Sequence, residues 1–172
     1  VTVNRAPVLT LWAAVVAERL GFDRNEALTL GKAVAGLNAQ AKGRSLGIFQ
    51  PPKLAEGQTP RKAGLGEEFW VDLCGRAVPA RNTSDGVRAV VKDKPIDPAS
   101  VARYLESKFG EHLAAVRTAM EHLAKSLRPE RLAAQAFALY EQFRPSIASG
   151  RRGWGQPGEL NLDLIHSLSG EN

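Results

Sequence analysis

Ala27, Gly31 and Ala35 recur every four residues in a stretch that otherwise reads as helix, and this smooth stripe is the feature that most constrains the chain. Residues four apart share one helix face. A face with almost no side chain lets a second helix approach closely, and that contact offsets the roughly 1 kcal/mol that a glycine costs in a helix interior. The partner lies just upstream. From Pro7 to about residue 20 the chain is alanine-rich, opens on a proline suited to the first turn and stops at Gly21, with Val8, Leu11, Trp12, Val15 and Arg19 stepping by three and four. The second helix starts with Asp23 or Asn25 as cap and Glu26 in the first turn, where the dipole favours an anion. Its apolar positions Leu28, Leu30, Val34 and Leu37 carry it to about Ala41. The two helices predict a tight hairpin over residues 7–41.

Between residues 42 and 68 periodicity vanishes. Gly43, Gly47, Pro51, Pro52, Gly57, Pro60, Gly64 and Gly66 punctuate a long loop, with Ile48 and Phe49 as its one apolar anchor. Loops of this length are functional elements or plain connectors. Residues 69–94 change character: Phe69 to Cys74 alternates, Ala77 to Arg81 contains Pro79, Val87 to Lys92 is valine-rich, and Asp85-Gly86 supplies a turn. Two or three short strands follow, with Pro79 at an edge or bulge where its missing N–H does no harm. Helical spacing returns over 97–169. Asp97 caps, Pro98 takes the first turn, and Val101, Leu105 and Phe109 line a face that Gly110 ends. Leu113, Val116, Met120, Leu123 and Leu127 form a packed seam. Pro129 opens a helix whose Leu132, Ala133, Ala136, Phe137, Leu139, Tyr140 and Phe143 cover half its circumference, the pattern of a core helix between layers. It ends before Pro145, and Leu160, Leu164, Ile165 and Leu168 suggest a last short helix.

The sum is a mostly α (α+β) fold: about six helices in a bundle, with a small antiparallel β-hairpin inserted in the middle, as one domain over residues 1–172. A chain of 172 residues buries roughly two-thirds of its unfolded surface, enough for a core without metal, cofactor or disulfide, and none of these is expected. The single Cys74 has no disulfide partner and fits a reducing compartment. The run from Pro7 to Ala17 imitates a secretory signal but reads better as a helix that continues through Glu18 and Arg19. No apolar run reaches the roughly 18 residues that cross a bilayer. The expectation is a cytoplasmic protein without a membrane partner.

Lys32, Lys42, Arg44, Lys53, Arg61 and Lys62 stand against Glu56 alone, so one stretch carries an excess equal to the net +5 of the whole chain. Such clusters favour polyanionic partners. Residues 15–34 add a local likeness. With Ala17 at the small-residue position, Gly21 at the turn, Phe22 after it and Leu30 buried in the second helix, the stretch resembles the helix-turn-helix of bacterial DNA-binding proteins. The resemblance implies that Arg24, Asn25, Thr29 and Lys32 face the major groove, with donors for phosphates and base edges. Against it stand Asp23 and Glu26, which would sit near phosphates, and the unusual Gly31. Arg151 and Arg152, beside Trp154, offer a second contact.

The leading reading is therefore a non-enzymatic nucleic-acid-binding protein using the hairpin and the basic loop. Its first alternative is a protein-interaction module or homodimer that uses the smooth stripe or the Leu113–Leu127 seam. A small enzyme with a dispersed site is the third. Cys74 with Asp72 two residues earlier would need a distant histidine, and His112 and His122, ten residues apart, lie too far along one helix to chelate one ion. No phosphate loop is present, since Gly64-Leu-Gly66 is followed by two glutamates.

Overall fold

A computed structural model describes residues 2–43, 67–91, 94–145 and 157–169. Among these residues, five helices of 12 to 20 residues and one of seven are joined by two small antiparallel sheets. In chain order these are β1 (Thr2–Asn4), α1 (Arg5–Arg19), α2 (Arg24–Gly43), β2 (Glu68–Leu73), β3 (Arg76–Thr83), β4 (Gly86–Val91), β5 (Lys94–Pro95), α3 (Pro98–Phe109), α4 (Leu113–Lys125), α5 (Pro129–Phe143), β6 (Pro157–Glu159) and α6 (Leu162–Leu168). The chain is mostly helical, as its sequence predicts.

α1 is the centre of the molecule. All eleven residues from Pro7 to Ala17 are buried, so this alanine-rich helix is enclosed on every side along that stretch. α2, α4 and α5 all pack on it. Its polar tips reach carbonyls of the C-terminal half: Arg5 Nε donates to the Pro145 oxygen at 3.0 Å and Arg19 Nη2 to the Leu127 oxygen at 3.1 Å. Between them, Trp12 Nε1 donates to the Ala136 oxygen at 2.9 Å, while its indole meets the Phe143 ring edge-on at 5.2 Å. These bonds join the first 20 residues to the last helices in one core that runs from Val3 to Ile165. The expectation for α5 is corrected accordingly. It buries Leu132, Ala136, Leu139, Tyr140 and Phe143 but exposes Ala133, so it covers the core from one side while α1 occupies the middle.

The smooth stripe of α2 seats it against α1, and a Cβ on Gly31 would overlap the Thr10 carbonyl oxygen and crowd Ala14. The stripe is thus filled from within the chain. The seam on α4 also turns inward, with Val116, Met120 and Leu123 buried. α3 starts as predicted: Asp97 accepts from the Ala99 amide at 3.1 Å and Pro98 opens the first turn.

The predicted hairpin is a larger sheet. Four strands pair antiparallel in the order β2-β3-β4-β5, and a separate pair joins β1 to β6. Two features enlarge it. Cys74 and Gly75, with φ of 49° and 75°, form a tight two-residue turn between Leu73 and Arg76, a second turn besides the one before Gly86. After β4 the chain comes back along the strand, pairing Val90 with Pro95 and donating the Ile96 amide to the Ala89 oxygen. Pro79 does not put its strand at an edge: β3 lies between β2 and β4, and Pro79 falls one residue before the β3–β4 ladder begins at Ala80, where its missing N–H leaves no gap. Phe69, Val71, Leu73, Val78, Ala80, Val87 and Ala89 form the buried face.

Two glycines of α2 separate packing from propensity. Gly31→Ala should cost about 1–3 kcal/mol through forced separation of α1 and α2, whereas Gly36→Ala, whose Cβ would meet nothing within 4 Å, should gain up to about 1 kcal/mol. Urea unfolding of the two variants checks the opposite signs.

Candidate functional site

The turn between α1 and α2 is built by a reciprocal cap. Glu26 N–H donates to Asp23 Oδ1 at 2.8 Å and Asp23 N–H to Glu26 Oε1 at 3.0 Å, so Asp23 is the cap and the box is complete. Glu26 does more than close the box. It is 6% exposed, and its Oε2 accepts the Val87 amide of β4 at 2.9 Å. One turn on, the wholly buried Thr29 donates its hydroxyl to the Glu26 carbonyl at 2.9 Å and accepts the Ala89 amide at 3.1 Å. Alternate residues of a strand turn their N–H to the same edge, so α2 side chains satisfy one edge of β4.

This geometry redistributes the residues that the helix-turn-helix likeness turns toward DNA. Arg24 and Asn25 are exposed at the start of α2, and Arg24 Nε lies 4.0 Å from Glu18 Oε1. Thr29 has no surface left to offer a base edge. With α1, the sheet and α3 packed around it, α2 does not stand free to enter a groove about 12 Å wide. The expected groove-reading set is therefore split, two residues outside and one inside.

Lys32, the fourth, takes another role. Its Nζ sits over the Tyr104 ring of α3, 3.7 Å from the centroid, and Lys108 Nζ lies 5.9 Å from the same centroid. A cation over an aromatic face is attracted by the ring quadrupole. Burial, and then the charge of Lys108, pull the Lys32 pKa below its ordinary value; burial pushes the Tyr104 hydroxyl up. Neither lysine has a carboxylate partner among the described residues. This cationic pair around one ring lies on two helices and has no sequence signature, since Lys108 and Tyr104 are ordinary α3 positions until α3 docks on α2. Lys42 lies in the last turn of α2. Arg44, Lys53, Arg61, Lys62, Arg151 and Arg152, with Trp154, fall outside the described residues.

A groove of about 320 Å³ opens between α1 and α4, lined by Val15, Glu18, Arg19, Arg117, Glu121, Ala124 and Lys125. Both of its carboxylates are engaged by Arg117, which binds Glu18 closely and whose Nε lies 3.3 Å from Glu121 Oε2. The Arg117–Glu18 pair fastens the end of α1 to α4, while Arg117–Glu121 lies within α4.

The remaining reactive groups are corrected or located. Cys74 belongs to the β2–β3 turn rather than to a strand, and burial pushes its thiol up to about 12. Such a thiol is a poor nucleophile. Asp72 is exposed on the opposite side of β2 from the buried Leu73. His112 is exposed beside Glu111, while His122 and His166 meet across α4 and α6. No group of three His, Cys, Asp or Glu side chains suited to a metal occurs among the described residues, and among them no helix is long and apolar enough to cross a membrane. No protein family, curated protein or solved structure matches this chain.

Two measurements follow. In a pH titration of lysine Cε resonances, Lys32 should titrate below the ordinary lysine value of 10.5. Lys108→Gln should move its midpoint up, because a repelling charge is removed. A Lys32 midpoint unmoved by that change would deny the coupling. Cys74 should resist a disulfide reagent at pH 8 in the folded protein and react fully on denaturation.

Proposed function

We propose that this protein binds nucleic acid by charge, along the face where α2 meets α3, rather than by inserting α2 into a groove. The observation that carries the reading is the pair Lys32 and Lys108, held around Tyr104 with no carboxylate ion pair to either among the described residues. Two like charges gathered at one ring repel each other, and burial first and this repulsion second hold the Lys32 pKa below its ordinary value. An anionic partner relieves that repulsion. The sequence supplies further cations on the same side of the argument: Arg24 stands two turns upstream on α2 and Lys42 ends the helix, followed by Arg44, Lys53, Arg61 and Lys62. Phosphate oxygens suit such a set, because lysine ammonium groups neutralise them as point charges without reading sequence. The reading is of a binding protein without a catalytic step, acting inside the cell.

Fluorescence anisotropy with labelled duplex and single-stranded DNA and RNA tests this. Affinity should fall steeply with salt and vary little with sequence. Lys32→Gln and Lys108→Gln should each weaken binding on every probe and flatten the plot of log affinity against log salt by about 1. Asn25→Ala should leave binding unchanged. Absence of binding at low salt would overturn the proposal, as would affinity that both lysine substitutions leave intact.

A further inference from the structure

We propose that His122 and His166 form a two-histidine site for a divalent transition-metal ion of the zinc type, which fastens α6 to α4. The two residues come from helices separate in sequence and meet at the seam between them, with ring centres 6.3 Å apart and ring planes at 78°. His122 is exposed and His166 half-buried, so the pair is open to solvent and to an entering ion. Its spacing suits shared coordination. A zinc ion bound at about 2.0–2.1 Å from a ring nitrogen lies about 3.2 Å from the ring centre. Two rings on one ion then have centres about 4.5 to 6.4 Å apart as the angle at the metal opens from about 90° to 180°. The observed separation lies near the linear end of that range, so a tetrahedral ion draws the rings together. A tetrahedral angle brings the centres to about 5.2 Å, a closure of about 1 Å that side-chain torsions supply.

Imidazole nitrogen favours zinc, copper and nickel over magnesium or calcium, which fixes the class of ion. A hydrogen bond at one ring nitrogen is compatible with the site and sets the tautomer that leaves the other free for metal. Since no third His, Cys, Asp or Glu joins the pair among the described residues, the other coordination positions fall to water. Binding of this kind is reversible. Its structural consequence lies in α6, a seven-residue helix anchored in the core mainly by Ile165 together with the preceding Leu160. A bridge from His166 to α4 adds a second anchor, and because protons compete for the same nitrogens it weakens on acidification.

The experiment uses the full chain without a histidine tag and Zn²⁺ as probe. Calorimetry at neutral pH should find one equivalent bound, and the thermal midpoint should rise with Zn²⁺. His122→Gln and His166→Gln should each weaken binding by at least roughly tenfold and remove the thermal shift, while His112→Gln changes neither. A companion measurement on the unaltered protein covers the case in which a variant loosens α6: Zn²⁺ should move the ring resonances of His122 and His166 and leave those of His112 in place. No binding by the unaltered chain would overturn the proposal. So would binding that both substitutions leave unchanged, or shifts confined to His112.

Discussion

The edge of β4 depends on two side chains of α2. Val87 and Ala89 turn their amides to Glu26 and Thr29, and a buried amide left without an acceptor costs about 1–3 kcal/mol. The same carboxylate caps α2 through Asp23, so one residue sets where the helix begins and how the sheet sits against it. Two amides and the positive end of the helix dipole compensate the burial of its charge. Once α2 is fixed in this way, its stripe of small residues settles on α1, and its far flank carries Lys32 to Tyr104 of α3.

Around that arrangement the fold closes on α1. The helix has no polar face from Pro7 to Ala17, and a helix apolar all round is stable only when enclosed. The C-terminal helices provide the enclosure, and they are joined to α1 by carbonyls that accept from Arg5, Trp12 and Arg19. A helix so covered leaves its neighbours to make the surface, which is why α5 exposes Ala133 although its sequence is apolar over half the circumference.

Local chemistry was readable where one element decides its own fate. The small stripe, the Asp97-Pro98 start, the stop at Gly110 and the alternation of Phe69, Val71 and Leu73 each follow from residues close in sequence. What escaped depends on tertiary context. Cys74 continues the apolar alternation of β2, so the sequence places it in the strand, and only its left-handed conformation beside Gly75 shows the turn. β1 pairs with β6 across nearly the whole chain, and three-residue strands have no periodicity to betray them. The site suffered most from this limit: Thr29 looks like a groove-facing donor on a helical wheel, and only the arrival of β4 makes it an internal acceptor. Lys32 stands out in the sequence for its charge, but its partners Tyr104 and Lys108 lie 72 and 76 residues further on, in a helix that no spacing rule connects to it. The pairing of His122 with His166 was hidden for the same reason.

The functional picture follows from which polar groups the fold uses and which it leaves. Asp23, Glu26 and Thr29 are used to build α2 and its junction with the sheet, whereas Lys32 and Lys108 meet at one ring with no carboxylate ion pair among the described residues. The central claim is the junction itself, and native-state hydrogen exchange of the Val87 and Ala89 amides measures it directly. Both should exchange only with global unfolding, and Thr29→Val should release Ala89 while Val87 stays protected. Rapid exchange of both amides in the unaltered protein would contradict the account, because it would mean that α2 does not hold the edge of β4.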